Sequence, residues 1–324
     1  MKILVILPNW LGDAIMTTPA IELLAKFHPN ARFTFLGSYV SIEALKHHPK
    51  CERAIVDETK KSSNRLLATY KLAQDLGYFD LAITFRNQIH SSLLLRMTGT
   101  VVCIARKSWH SQFLLSHTPT IKTNKHLVEQ YIELAMTNVD NFNQEHEKLK
   151  LYIEPIQHQK PTLGINPGAT YGSAKRWYPE RFAHVAAKFS DRYEIIIFGG
   201  PGEVEMAQEI ETNLKKLDVN NYINLAGKTN IEELCSHIGG CSLFITNDSG
   251  PMHVAAAYNV PTVSIFGPTK HKETSQWMNT KSKIVRIDME CAPCMKRECP
   301  LGHHECMTKI TASDVTEAVL TLLD

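Results

Sequence analysis

A strand-then-helix alternation that begins at Lys2 and begins again at Thr162 constrains this chain more than any other feature. Residues 2–7 are a nearly unbroken aliphatic run, the pattern of a strand buried on both faces of a parallel sheet. An amphipathic helix is expected over 14–27, then strands at 32–37, 54–56, 81–85 and 101–104, with helices at 64–76 and 91–97 between them. The polar, proline-bounded stretch 154–161 reads as a linker, after which the alternation restarts. Strands follow at 162–166, 194–198, 222–225, 243–246 and 262–266, and helices at 179–189, 203–217, 231–238 and 251–258. An amphipathic helix over 312–323, begun by Thr311 or Ser313, closes the chain. Such alternation means βαβ units. Strands in this number fit two α/β domains, each a Rossmann-like doubly wound sheet, better than one small sheet; the expected boundary lies at 155/156. A ligand is then expected in a central cleft that the two domains face, at the carboxyl ends of the strands.

Several classes are excluded early. The longest apolar runs, such as residues 3–7 and 101–105, fall far short of the ~20 residues a membrane span needs. The first residues hold one lysine and a short apolar run cut by Pro8, which is no secretory signal, so a cytoplasmic location is expected. The net charge of +2 is unevenly spread: residues 1–155 carry +4 and residues 156–324 carry −2. Residues 81–128 contain no acidic side chain but hold Arg86, Arg96, Arg106, Lys107, Lys122 and Lys125, with His90, His110, His117 and His126. Such a segment is either a solvated basic face or a surface that attracts an anion. A nucleic-acid partner is disfavoured, since a pI near 8.1 is modest and no helix-turn-helix or RNP pattern is present.

Three strand-to-helix junctions are rich in polar and small residues. In Asn9-Trp10-Leu11-Gly12-Asp13, the aspartate is either a helix N-cap or, beside a glycine that lets a ligand approach, a general base. Residues 166–177 place hydroxyls, glycines and the Lys175-Arg176 pair after a strand, a phosphate cradle or an ordinary connection with solvated cations. No Gly-Lys-Ser/Thr follows, so this is no P-loop. The third junction, Thr246-Asn247-Asp248-Ser249-Gly250-Pro251-Met252-His253 and on to Ala257, opens an alanine-rich helix: a well-capped helix, or backbone N–H groups aimed at an anion. A weaker glycine signal, Gly199-Gly200-Pro201-Gly202, precedes Glu203.

Taken together these loops resemble the ADP-heptose:lipopolysaccharide heptosyltransferases of glycosyltransferase family 9, and the match runs along essentially the whole chain in order. The segment 248–257 is its most specific part, and the tail Cys291-x2-Cys294-x4-Cys299-x6-Cys306 is similar to that of the heptosyltransferase II subfamily. The resemblance implies a GT-B fold with an N-terminal acceptor domain, a C-terminal donor domain whose last helix packs back on the first, and no catalytic metal or other cofactor. The sequence agrees in having no Asp-x-Asp pair to bridge a metal to a diphosphate.

By the same resemblance, Asp13 takes the proton of the acceptor hydroxyl, and Lys175 meets the charge that develops on the departing diphosphate of ADP-heptose. Thr170, Tyr171, Thr229, Asp248, Ser249 and Gly250 would bind the donor. Glu203 would bind its ribose, with Glu205 the rival, and His253 either reaches a phosphate or packs. Trp10 and Gly12 would lie against the acceptor, a lipid-linked inner-core sugar whose carboxylates and phosphates make Arg86, Arg96, Arg106 and Lys107 its candidate contacts, and peripheral contact with the membrane face follows from that acceptor. The four tail cysteines, with His303 and His304 among them, are read as reduced structural thiols ahead of a zinc site. Cys51, Cys103, Cys235 and Cys241 read as core residues. The competing readings are a family-9 transferase with another acceptor, such as heptosyltransferase I acting on Kdo, and a non-catalytic nucleotide-binding protein. A Rossmann oxidoreductase is weak, because the first loop lacks Gly-x-Gly-x-x-Gly.

Overall fold

The computed structural model describes residues 1–139, 142–143 and 146–323. It divides into two units, Met1–Tyr152 and Ile153–Asp324, three residues ahead of the boundary expected from the linker. The first unit contains β1 (Lys2–Ile6), α1 (Leu11–Met16), α2 (Thr18–Phe27), β2 (Arg32–Gly37), α3 (Tyr39–Leu45), β3 (Cys51–Val56) and α4 (Arg65–Leu76). It continues with β4 (Leu81–Thr84), α5 (Ile89–Met97), β5 (Cys103–Ala105), α6 (Ser111–Leu114) and α7 (Leu127–Ala135). The second contains β6 (Thr162–Asn166), α8 (Pro179–Phe189), β7 (Glu194–Ile197), α9 (Val204–Lys216), β8 (Tyr222–Asn224), α10 (Ile231–Gly239) and β9 (Leu243–Asn247). After these come α11 (Gly250–Ala257), β10 (Thr262–Ile265), α12 (His271–Thr274), β11 (Ser282–Val285), α13 (Glu305–Thr308) and α14 (Ala312–Leu323).

Every strand pairing is parallel, in the order β3-β2-β1-β4-β5 in one sheet and β8-β7-β6-β9-β10-β11 in the other. Each sheet winds outward from its first strand and then returns to that strand's other side. The winding reverses between β1 and β4 and between β6 and β9, and the carboxyl ends of those strands are where such sheets bind ligands. Beyond the exposed Lys2 at the start of β1, the strands β1, β6 and β9 are buried throughout, with apolar side chains at 0–1% exposure. No helix among the described residues is long and apolar enough to cross a membrane.

Departures from expectation have local causes. The amphipathic stretch 14–27 is two helices. The Thr17 and Thr18 hydroxyls bond the carbonyls of Ala14 and Ile15 at 2.6 and 2.8 Å, and Pro19 has no N–H to continue the ladder. β3 begins at Cys51 because it is an edge strand whose first half is exposed and carries no alternation. Val101, expected inside β5, is 69% exposed and precedes it. The closing helix α14 lies against α8, β10 and β11 of its own unit, with Val315 and Val319 fully buried there.

Candidate active site

In the first unit the loop from β1 into α1 is held at three consecutive carbonyls. Arg86 Nε donates to the Leu7 carbonyl at 2.5 Å, the Ser41 hydroxyl to that of Pro8, and the Ser38 hydroxyl to that of Asn9 at 2.8 Å. The next carbonyl, of Trp10, already accepts the first helical bond from Ala14. Trp10 is the N-cap and stands 50% exposed, Gly12 is buried, and Asp13 is the third helical residue, half-buried. The N-cap position is therefore occupied by another residue, which removes the capping explanation for Asp13.

Tyr131 of α7 has both Asp13 and Arg106 as electrostatic neighbours. Burial, with the Asp13 charge beside it, pushes the Tyr131 phenol well above its ordinary value, while Arg106 acts in the opposite sense. Arg106 follows the carboxyl end of β5 and donates to the Ile121 carbonyl and the Gln130 side chain at 3.3 and 3.1 Å. Lys107 beside it is exposed. Two of the basic candidates are corrected. Arg86 is 7% exposed and forms a buried ion pair with Asp57 at 3.1 Å, so it braces the Asp13 loop rather than presenting a surface charge. Burial raises the Asp57 carboxyl, but hydrogen bonds from Thr59 and the charges of Arg86 and His90 together hold it below its ordinary value. Arg96 lies in the last turn of α5, which runs back from the carboxyl end of β4 toward the start of β5; that places it at the opposite edge of the sheet from Asp13.

In the second unit the loops after β6 and β9 are joined side by side. Asn247 is fully buried; its amide donates to the Pro167 carbonyl at 2.6 Å and its oxygen accepts the Trp177 N–H at 3.1 Å. Lys175 Nζ lies 2.5 Å from Asp248 Oδ2, with side chains 13% and 5% exposed, and Thr269 donates to the same oxygen at 2.5 Å. Lys175 also stands over the Tyr171 ring, 4.9 Å from its centroid. Thr170 is exposed at the tip of the loop. The Ser249 hydroxyl meets Asn166 and Thr246 at 3.3 and 3.1 Å and makes no cap bond to α11. In the first turn of α11 no side chain caps the Gly250 N–H, while Pro251 has none and the Met252 N–H donates to the Ser249 carbonyl at 3.2 Å; the Gly250 N–H at this helix end suits an anion. His253, one turn along, is 3% exposed.

Glu203 is the acid that reaches this loop. Its carboxylate accepts the Gly200 N–H at 2.7 Å and lies over Gly168, where a Cβ would come within about 2.0 Å of it. Glu205 instead faces outward on α9, beside Gln208 and Glu209. Thr229 follows β8, next to the Asn230 cap of α10.

Among the described residues no group of three or more His, Cys, Asp or Glu is arranged to hold a metal ion, at Cys291, Cys294, Cys299 and Cys306 or elsewhere. Cys306 is buried, and burial together with the three neighbouring thiols pushes it up to about 11. What the tail does is brace the loop 168–177. The Met295 carbonyl accepts from the Tyr171 hydroxyl at 2.7 Å, the Arg297 carbonyl accepts from Ala174 N–H at 3.0 Å, and His304 bonds the Tyr178 hydroxyl and the Ala174 carbonyl, both at 2.9 Å. Gly172 permits this contact, since a Cβ there would stand 2.2 Å from the Arg297 carbonyl oxygen. Gly172→Ala is expected to cost about 1–3 kcal/mol in unfolding free energy. Gly168→Ala, which meets only the end of a flexible glutamate, costs less; equal losses in thermal unfolding would show that the tail contact is not what sets the limit. The structure confirms Cys103, Cys235 and Cys241 as buried, while Cys51 is half-buried on the edge strand.

Sequence reasoning singled out the junction that holds Asn247 without giving that residue a role, and it missed Thr269, Tyr131 and the Ser38–Ser41 pair. Only the last left a local trace, the serine N-cap of α3.

Comparison with known proteins places these features in a family context. A family model described as glycosyltransferase family 9 (heptosyltransferase) matches residues 69–305. A lipooligosaccharide heptosyltransferase 2 of Campylobacter jejuni is 38% identical over 99% of both chains. The lipopolysaccharide heptosyltransferase 2 of Escherichia coli is 27% identical over 100% of this chain and 99% of its own. The solved E. coli ADP-heptose LPS heptosyltransferase II superposes with a TM-score of 0.83 at 26% identity, covering 100% and 98% of the two chains.

Proposed function

The chain belongs to glycosyltransferase family 9, the heptosyltransferases, and from that premise we propose that it moves L-glycero-D-manno-heptose from ADP-heptose to a heptose of the lipopolysaccharide or lipooligosaccharide inner core. The observation that carries the reading is the Lys175–Asp248 pair beside the uncapped N-terminus of α11, at the switch point of the second sheet. A fixed cation and a backbone N–H at a helix N-terminus are what a departing diphosphate requires when charge develops on its oxygens.

The reaction is a single displacement with inversion. The acceptor hydroxyl attacks the anomeric carbon as Asp13 takes its proton; the bond to the β-phosphate breaks, and ADP leaves with the electron pair. Lys175, the Thr170 hydroxyl and the Gly250 N–H at the start of α11 stabilise that charge without a metal ion. Asp248, tied to Lys175 and Thr269, orients the cation and faces sugar hydroxyls rather than phosphate. Glu203 addresses the ribose. Arg106 and Lys107 meet anionic groups of the acceptor.

The test is a transfer assay with ADP-heptose against inner-core acceptors bearing zero or one heptose, run with a chelator. Transfer to the mono-heptosylated acceptor, with inverted anomeric configuration and undiminished by chelation, is expected. Transfer only to the heptose-free acceptor moves the enzyme to the heptosyltransferase I reaction, and loss on chelation removes the metal-free mechanism. Charge reversal at both Arg106 and Lys107 is expected to raise the acceptor KM and leave donor binding unchanged; equal losses on both substrates would count against the acceptor assignment.

The three tethers on the Asp13 loop yield a further expectation. Ser38→Ala/Ser41→Ala should lower kcat about tenfold or more with the donor KM unchanged, because small misplacement of a catalytic group is costly. An unaltered kcat would mean that Arg86 alone suffices to hold the loop.

A further inference from the structure

The segment after β5 presents two aromatic side chains to solvent in a way the transfer chemistry does not use. Trp109 is 70% exposed and Phe113, four residues on, is 87% exposed, the highest value of any large apolar side chain among the described residues. Scattered apolar residues on a surface need no explanation. These two are different because the loop that holds them is built. Ser111 is fully buried; its hydroxyl donates to the Arg106 carbonyl at 2.9 Å and accepts the Ser108 N–H at 2.8 Å, and the Lys107 N–H donates to the Pro119 carbonyl at 2.9 Å. The aromatics are thus held outward by a braced turn.

The segment that holds them carries one sign of charge. Lys107 and Lys122 are exposed on the two limbs of the segment, Arg106 stands at its base, and no acidic residue occurs anywhere in residues 81–128. Exposed Trp and Phe flanked by exposed lysines are the chemistry of an anionic bilayer interface: the rings enter the headgroup region while the cations meet lipid phosphates. The patch also continues into the first unit's candidate site, since Arg106 belongs both to this segment and to the electrostatic surroundings of Tyr131 that include Asp13.

We propose that Trp109 and Phe113, with Lys107 and Lys122 around them, form a membrane-docking surface that seats the first unit on an anionic lipid bilayer. The inference rests on the reading that the acceptor is lipid-linked. A lipid-anchored acceptor exposes its sugars only at the bilayer surface, so a docking patch continuous with the Asp13 site brings enzyme and sugar to the same plane. The patch makes docking reversible, because two aromatic side chains and a few cations give interfacial binding rather than insertion.

The experiment is co-sedimentation of the full-length protein, without substrates, with vesicles of phosphatidylglycerol and phosphatidylethanolamine or of phosphatidylcholine alone. Binding to the anionic vesicles is expected, falling about tenfold for Trp109→Ala/Phe113→Ala and similarly on phosphatidylcholine or at high salt. The same double variant should keep wild-type kcat on a delipidated, water-soluble acceptor and lose rate only on acceptor embedded in vesicles. Equal vesicle binding by wild type and variant would overturn the proposal. So would a change in oligomeric state of the variant by light scattering with vesicle binding intact, which would make the patch a contact between copies of the chain. Absence of transfer to either acceptor by the wild type would overturn the transferase reading while leaving the vesicle result standing on its own.

Discussion

Asp13→Asn is expected to lower kcat by about 10²–10⁴-fold while ADP-heptose binds as before, the range that general base catalysis supplies. Asparagine keeps the shape of the side chain and loses only the capacity to accept a proton. The helix should survive the change: Asp13 is the third residue of α1, and losing its charge near the helix N-terminus forfeits about 0.3–1 kcal/mol. The loop in front of it stays tethered through Arg86, Ser41 and Ser38, none of which is altered. Binding of ADP-heptose, followed by calorimetry, separates the outcomes. Retained binding with lost turnover supports the base assignment, full activity removes it, and a wild-type protein that binds the nucleotide sugar but never turns over would favour a binding protein.

The parts of this molecule that could be read in advance are those whose cause is local. β6 and α8 fall where the pattern puts them, because a five-residue buried strand and a Pro-initiated amphipathic helix are written in consecutive residues. α3 and α7 escaped notice although both carry side-chain N-caps, Ser38 and His126, since their apolar faces are short. The site followed the same division. Lys175, Asp248 and Gly250 stand in loops whose composition is itself unusual, whereas Tyr131 and Thr269 reach Asp13 and Asp248 from distant parts of the chain, and no spacing encodes that meeting. Arg86 shows the limit most clearly. Its segment has no acid, so its charge reads as a surface feature; its counter-ion, Asp57, arrives from the end of β3, outside that segment. The cysteine tail adds a related case: ligand-like spacing says which thiols are near in sequence, while the backbone carbonyls between them, which grip the loop 168–177, leave no trace in it.

Lys175→Ala is expected to lower kcat by about 10²–10³-fold, the scale for removing one preorganised donor to developing negative charge. Read alone, that loss would be ambiguous, because the substitution also strips Asp248 of its cation in a site where both side chains are largely buried. Breaking such a pair from one side costs about 3–5 kcal/mol of stability. A cycle with Asp248→Asn separates the two effects. In Lys175→Ala/Asp248→Asn no unpaired charge remains, and Thr269 still has an oxygen to bond, so the thermal midpoint should recover most of what the single variant loses. If Lys175 serves only to neutralise Asp248, kcat recovers with it. If Lys175 acts on the leaving diphosphate, kcat stays low in the double variant although the fold is restored, and Lys175→Arg, which keeps the charge in a bulkier planar group, returns part of it. The reading of the second unit as the donor site predicts the latter, with the affinity for ADP itself reduced in every variant that lacks a cation at this position.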